Sequence, residues 1–467
     1  MDASDIRGKR VTVIGGARSG LAAARLLSSH GAEVFLTEAS APSPDLQSRL
    51  EKDGVQFEFG GHSARAKDAD FAVISPGVPD TIDFVKGLDE KGTPVYSEIE
   101  VASWFCKAPI IAITGSNGKT TTTSLLGHTV ALSGRAHVVA GNIGAPFSDY
   151  VTDLSAESLV VLEVSSFQLD RIDKFQPRVA VILNITPDHL DRYGGKFENY
   201  AASKLRLFEN LQPQGSDGGD WLVYNHDDLF LREAVQAIAD ERGIQAYGFS
   251  LERELDHGGF IRNGELVLRL TPGRPGAASP DEEVIMRTDD AALPGRHNLY
   301  NSLAAAVAAR AAEIKRDVVR ESLSSFEGVP HRLEFVRDIN GVRYVNDSKA
   351  TNVNAVWYAL ESFKCPLVLI AGGRDKGNDY DSIKKLVKDR VRGIVGIGES
   401  GDKVLYELGA LADRSARAHS MEEAIQYARL MAEPGDVVLL SPACASFDQF
   451  ENYEERGDEF KRLVESL

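Results

Sequence analysis

Short apolar runs separated by helix-length polar segments recur along this chain, with the spacing of buried parallel strands alternating with helices. Residues 10–14 form one such run, residues 15–20 a glycine-rich turn and residues 21–27 an Ala-rich apolar helix. Residues 33–37 and 71–74 follow as further buried strands, the rhythm of a doubly wound parallel sheet. A second unit opens at Pro109 with a strand at 110–114 and continues with strands at 159–164 and 179–183. From 212 to 293 the pattern loosens into Gly, Pro and Asp clusters and reads as a peripheral excursion outside the core. Within it, residues 260–268 predict a hairpin turning at Asn263-Gly264. An Ala-rich helix is expected at 298–312, and a third unit from about Pro330, with strands at 343–346, 367–371, 393–397 and 437–441. The expected fold class is therefore α/β, with three consecutive domains at 1–98, 99–329 and 330–467.

Composition narrows the functional classes. A chain of 467 residues with 43% hydrophobic and 26% charged residues can build several cores without staples. It has no apolar stretch of about 18 residues, which predicts no membrane insertion. Residues 1–10 carry charges and no apolar leader, so a cytoplasmic protein is expected. Cys106, Cys365 and Cys444 are too widely spaced for a disulfide framework or a zinc cluster and are expected as reduced, packed thiols. A net charge of −17 argues against binding nucleic acid, so an anionic ligand must be held by local dipoles and a few placed cations.

Such a place is Thr114-Gly115-Ser116-Asn117-Gly118-Lys119-Thr120, which joins a strand to a Thr-rich helix. Glycines let main-chain amides turn onto phosphate oxygens, and the helix N-terminus adds partial positive charge. Lys119 suits the outer phosphates, and the Thr120 hydroxyl suits magnesium. Ile113 stands where the general phosphate-loop pattern has its first glycine, so this is a narrower variant. A second glycine loop, Gly15-Gly16-Ala17-Arg18-Ser19-Gly20, falls short of a dinucleotide fingerprint because Ala17 replaces its second glycine. With Glu38 ending the next strand, that segment alone would suit a nicotinamide dehydrogenase or a nucleotide-binding regulator.

The variant phosphate loop resembles that of the Mur ligase family, and ordered motifs along essentially the whole chain extend the resemblance. They are Gly-Asn142-Ile-Gly, Glu163-Val-Ser-Ser-Phe-Gln-Leu, Asn184-Ile-Thr-Pro-Asp188-His189-Leu-Asp191, Ser-Lys204-Leu-Arg and Gly295-Arg-His-Asn298. Pro330-His331-Arg332, Asn346-Asp347-Ser-Lys349-Ala-Thr351-Asn352 and Ser441-Pro-Ala-Cys-Ala-Ser446-Phe-Asp-Gln-Phe complete the set, the last two resembling the D-glutamate-adding branch.

The resemblance implies an N-terminal Rossmann-like UDP-binding domain, a central P-loop ATPase-like parallel sheet and a C-terminal Rossmann-like domain. It implies a ligase of peptidoglycan precursor synthesis that uses ATP as co-substrate to add D-glutamate to UDP-N-acetylmuramoyl-L-alanine through an acyl phosphate, acting as a monomer. Lys119, Glu163, His189 and Lys204 would be catalytic. Thr120, Glu163, His189 and Lys204, the last as a carbamate formed with carbon dioxide, would serve two magnesium sites. ATP would meet Gly115, Ser116, Asn117, Gly118, Lys119, Thr120, Thr121, Asn301, Arg332 and Asp347. The UDP precursor would meet Gly16, Ser19, Gly20, Glu38, Ser75, Pro76, Gly77, Asn142, Ser165 and Gln168. D-glutamate would meet His189, Thr351, Lys376, Ser446, Phe447 and Tyr453.

Each role has a structural alternative: a helix-capping Glu163, a buried His189, a surface Lys204 on an amphipathic helix, an interdomain ion pair for Arg332 and Asp347. Ala39 and Ser40 stand where relatives often carry Thr and Arg for UDP, and Phe447 and Tyr453 replace another apolar residue and Phe. A ligase of the same family with another amino acid is the nearest rival.

Overall fold

The computed structural model describes residues 1–41, 44–213, 219–270, 281–293, 295–375 and 377–467. The chain forms two compact units, Met1–Ala292 with Tyr300–Phe326, and Leu293–Leu299 with Glu327–Leu467. No helix among the described residues is long and apolar enough to cross a membrane.

The first unit holds two sheets. One contains β1 (Arg10–Ile14), β2 (Glu33–Glu38), β3 (Gln56–Phe59), β4 (Phe71–Ile74) and β5 (Val95–Ser97), in the order β3-β2-β1-β4-β5 with every pairing parallel. Strand order reverses beside β1, which opens a crevice at the carboxyl ends of β1 and β4. The helix Arg18–Ser29 covers this sheet, burying Leu21, Ala23, Ala24 and Leu27.

The other sheet has nine strands. They are β6 (Ile110–Thr114), β7 (His137–Gly141), β8 (Leu159–Glu163), β9 (Val179–Ile182), β10 (Trp221–Asn225), β11 (Ala246–Ser250), β12 (Gly258–Arg262), β13 (Glu265–Leu270) and β14 (Asp281–Arg287). Their order is β14-β13-β12-β11-β10-β9-β6-β8-β7, parallel except for the two pairings at the β14 edge, β12 with β13 and β13 with β14. The expected hairpin is present, with Asn263 and Gly264 both in the left-handed region that a tight two-residue turn needs.

The reading of 212–293 as a peripheral excursion is corrected: β10 and β11 extend the parallel sheet, and Leu222, Val223, Tyr247 and Phe249 are fully buried. Glycine is one reason the pattern hid β11. A side chain at Gly258 would collide with the Gly248 carbonyl, so close strand pairing there requires residues that weaken the apolar signal.

The helix Glu98–Ser103 joins the two sheets. Val101 lies in the core of the first, while Ile99 and Ala102 lie in that of the second. The Glu100 carboxylate accepts hydrogen bonds from the main-chain N–H groups of Asp173, Lys174 and Phe175 and from Trp104 Nε1.

The second unit carries β15 (Glu334–Ile339), β16 (Val342–Asn346), β17 (Leu367–Gly372), β18 (Val391–Ile397), β19 (Arg414–Arg417) and β20 (Val437–Leu440). The order is β15-β16-β20-β17-β18-β19, parallel except for the β15–β16 pair, with helices packed on both faces. β15 and β19 were not foreseen; both are sheet edges without a buried residue, alternating in β15 and exposed then half-buried in β19. The three cysteines are free thiols, Cys444 being buried.

Candidate active site

The phosphate loop leaves the fully buried β6 and enters the helix Lys119–Leu132. Gly118 has φ +86°, and a side chain there would strike the Asn301 amide oxygen. The loop is pinned to the segment after β9. Ser116 N–H donates to the Asn184 carbonyl, the Asn117 N–H donates to Asn184 Oδ1 at 2.9 Å, and Asn184 Nδ2 donates to the Asn117 carbonyl at 3.0 Å. Ser116 Oγ donates to the Thr186 carbonyl and accepts from the Thr186 N–H, both at 2.9 Å, and lies 3.0 Å from the Tyr200 hydroxyl. Asn301 reaches the first turns of that helix from 179 residues away, its Oδ1 accepting from Thr122 Oγ1 at 3.2 Å. Thr120 and Thr121 are buried at the start of the helix.

Two lysines converge on one carbonyl. Lys119 Nζ donates to Gly115 O at 2.7 Å and Ser116 O at 2.9 Å, and Lys204 Nζ donates to Gly115 O at 3.0 Å. Lys204 is 2% exposed, which removes the surface-lysine alternative. Burial first, and then the Lys119 charge, pull its pKa well below the ordinary lysine value. A shift in this direction favours the neutral amine over the ammonium.

Glu163 closes β8, with Oε1 accepting from Asn142 Nδ2 at 2.8 Å. Its Oε2 is buried and has no hydrogen-bond partner among the described residues, so it does not serve as a helix cap. Asn142 follows Gly141, where a side chain would collide with the Glu163 carbonyl. His189 is not buried: its side chain is 43% exposed, at φ +51°, with Nε2 3.7 Å from Asp188 Oδ2 and its ring edge-on to Phe167 at 5.2 Å. Ser165 caps the helix Ser166–Leu169, and Gln168 Oε1 accepts from Ser165 in return.

In the first sheet, the carboxyl ends of β1 and β4 meet as expected. A side chain at Gly20 would collide with the Gly15 carbonyl, to which Ser75 Oγ donates at 3.1 Å. Gly16 N–H donates to Glu38 Oε2 at 2.7 Å and Ser40 N–H to Glu38 Oε1 at 2.8 Å. Burial would raise the Glu38 pKa, but these N–H bonds outweigh it and hold the carboxyl below its ordinary value. Ser19, Ser75, Pro76, Gly77, Asn142 and Gln168 line one cleft of roughly 210 Å³. Arg18, unassigned by sequence reasoning, lines it too and donates to the Gly144 carbonyl at 3.2 Å.

In the second unit, Asp347 follows β16 and Ser441 follows the adjacent β20, whose pairing brings Ser441 Oγ to Asp347 Oδ2 at 2.8 Å. Burial raises the Asp347 pKa to about 6, against the lowering effects of Arg332, Ser441 and the Leu333 N–H. Ser446 is buried and Phe447 exposed. Thr351 N–H donates to the Lys349 carbonyl, and Lys349 Nζ lies 5.1 Å from the centre of the Tyr453 ring. Arg374 N–H donates to the Ala445 carbonyl at 2.8 Å, which draws the segment after β17 beside Ser446. Lys376 lies outside the described residues. Sequence reasoning missed Arg456, buried and donating to Ser348 Oγ, the Ser348 carbonyl and the Cys444 carbonyl.

Three parallel-dominated sheets, the middle one carrying a Gly-Lys-Thr phosphate loop backed by a buried lysine, define a multidomain α/β nucleotide-binding enzyme. Residues 113–309 match the Mur ligase middle domain, 331–444 the Mur ligase glutamate ligase domain and 10–82 the MurD N-terminal domain. The chain belongs to the Mur ligase family. It is 57% identical, with 100% of both chains covered, to UDP-N-acetylmuramoylalanine--D-glutamate ligase of Salinibacter ruber. The enzyme of that name from Chloroherpeton thalassium is 49% identical, again over 100% of both. Among solved structures, UDP-N-acetylmuramate-alanine ligase MurC of Thermotoga maritima superposes with a TM-score of 0.57 at 18% identity, covering 98% of this chain and 99% of that one, a likeness of fold.

Proposed function

We propose that this chain catalyses ATP-dependent amide formation between the carboxylate of UDP-N-acetylmuramoyl-L-alanine and the amino group of D-glutamate, in the cytoplasm, as a step toward peptidoglycan. The observation that carries this reading is the end-to-end similarity, at 57% identity, to a ligase named for that reaction. The division of labour would be 1–98 for the UDP precursor, 99–329 for ATP and 330–467 for the amino acid.

Amide formation from a carboxylate is uphill in water, so the carboxylate first needs a leaving group. A carboxylate oxygen of the precursor attacks the γ-phosphorus, the bond to the bridging oxygen breaks, and ADP departs. The glutamate amine, having lost its proton, then attacks the acyl carbon, and the tetrahedral adduct expels inorganic phosphate. Both steps bring anions together, so catalysis rests on positioning and charge neutralisation. Lys119 and the amides of 115–120 would neutralise the phosphates, with Asn301 against adenine. Arg332 and Asp347 would add nucleotide contacts. Thr351, Lys376, Ser446, Phe447 and Tyr453 would hold the dicarboxylate. Arg18 offers a cation beside Ser19 where Ser40 supplies none.

The residues suit magnesium. The buried Oε2 of Glu163, without a hydrogen-bond partner among the described residues, is a hard oxygen donor, and Thr120 stands at the first turn of the phosphate helix. Among the described residues no group of three or more His, Cys, Asp or Glu side chains is arranged to hold a metal ion by itself. Glu163, Thr120, His189 and a carbamylated Lys204 would serve two magnesium sites, and ions bound there would neutralise charge developing on the γ-phosphoryl group.

Phosphate release measured with the UDP precursor, ATP and, in turn, D-glutamate, L-alanine, glycine and meso-diaminopimelate tests the reading. Turnover with D-glutamate that vanishes without magnesium is expected. Turnover confined to another amino acid would replace the substrate assignment.

A further inference from the structure

Arg192 lies in the short turn Leu190–Tyr193 that begins immediately after His189, and its N–H donates to the His189 carbonyl at 3.0 Å. Its guanidinium reaches the other sheet of the same unit. Nη1 donates to the Pro76 carbonyl at 3.2 Å and Nη2 to the Val78 carbonyl at 2.8 Å, so the two bonds straddle Gly77. The guanidinium carbon also sits 4.0 Å from the centre of the Phe167 ring, against which the His189 ring stands edge-on at 5.2 Å. Phe167 belongs to the helix Ser166–Leu169, whose Gln168 lines the same cleft as Pro76 and Gly77.

One planar cation thus joins three pieces: the turn carrying His189, the loop 75–78 and the helix carrying Gln168. A guanidinium suits this because it donates two parallel bonds and stacks on an aromatic face at once, which an ammonium cannot do. Its hydrogen-bond acceptors in the loop are neutral carbonyls rather than carboxylates, so the contact fixes backbone position without neutralising the arginine.

We infer that Arg192 is a positioning residue that couples occupancy of the Ser75–Gly77 loop by the UDP precursor to the placement of His189 at the nucleotide end of the site. This rests on the proposed function. A ligand ordering the loop fixes the two carbonyls, the carbonyls fix the guanidinium, and the guanidinium and Phe167 fix the histidine. By reciprocity, nucleotide that engages the His189 turn must tighten precursor binding by the same factor.

The test is titration calorimetry of the β,γ-methylene analogue of ATP, with magnesium, into the full-length protein with and without saturating UDP-N-acetylmuramoyl-L-alanine. The native protein should bind the analogue about fivefold or more tightly when the precursor is present. In Arg192→Ala that ratio should fall to about one, with Arg192→Lys in between. Phe167→Leu, which keeps apolar bulk but removes the ring under the guanidinium, should lower it as well and serves if Arg192→Ala does not fold. Equal ratios in native protein and the folded variants, or a native ratio of one with both ligands binding, would overturn the inference. A native protein that binds the analogue but neither the precursor nor UDP would instead sink the functional reading beneath it.

Discussion

Glu98 offers a stability test whose size can be worked from its surroundings. Its carboxyl is 1% exposed, with Oε1 accepting from the Ser148 N–H at 2.6 Å and Oε2 without a partner among the described residues. Burial raises its pKa from 4.5 to about 7; Ser148 opposes the rise and Asp149 reinforces it. The folded state therefore retains a proton that the unfolded chain has already lost between pH 4.5 and 7, and stability must fall as pH rises through that window. At about 1.4 kcal/mol per pH unit, the loss totals about 3 kcal/mol and is complete just above pH 7. Glu98→Gln keeps the shape and cannot ionise. It should match the native protein at pH 4.5 and exceed it by up to about 3 kcal/mol at pH 8. Urea unfolding followed by tryptophan fluorescence suits the comparison, because Trp104 lies in the adjoining core. Parallel stability curves for the two proteins from pH 4.5 to 9 would refute the reasoning.

Four further outcomes are expected. Gly118→Ala places a side chain at φ +86° against Asn301; the left-handed backbone costs about 1–2 kcal/mol, and KM for ATP should rise at least about tenfold with KM for D-glutamate unchanged. Lys204→Ala should abolish turnover, with partial return in short carboxylates or high chloride, and a normal rate would remove the carbamate role. Asp228→Ala deletes the N-cap of the helix Leu229–Arg242 and the acceptor of the Ile185 N–H, next to Asn184. It should cost about 1–2 kcal/mol, read as a lower Tm, and raise KM for ATP. Lys376→Ala should raise KM for D-glutamate about tenfold through loss of a charge-assisted bond of about 1.5–3 kcal/mol, and an unchanged KM would move that carboxylate contact elsewhere.

Buried parallel strands announce themselves as unbroken apolar runs, which is why β1, β4, β6, β8, β9, β17 and β20 were legible. β10 and β11 were not, because Trp221, Tyr224, Tyr247 and Gly248 mix polar atoms and a missing side chain into short strands flanked by loop residues. The phosphate loop could be read from seven consecutive residues because its chemistry is mostly main-chain. The burial of Lys204 could not, since a lysine in a nine-residue helix with a modest apolar face reads as solvated until the helix is seen against Gly115. Arg18, Arg192 and Asp228 escaped for a related reason. Each works by donating to or accepting from a main-chain group distant in sequence, and such a pairing leaves no spacing to detect.

The six-residue helix Glu98–Ser103 is shared between two hydrophobic interiors, so the first sheet is not a cartridge that can be unclipped. A chimera that replaces the first sheet with that of another protein would have to transplant that helix together with the 173–175 segment that grips Glu100. A junction drawn after residue 103 would strand three backbone donors in the recipient and leave the transplanted helix with a raw apolar flank.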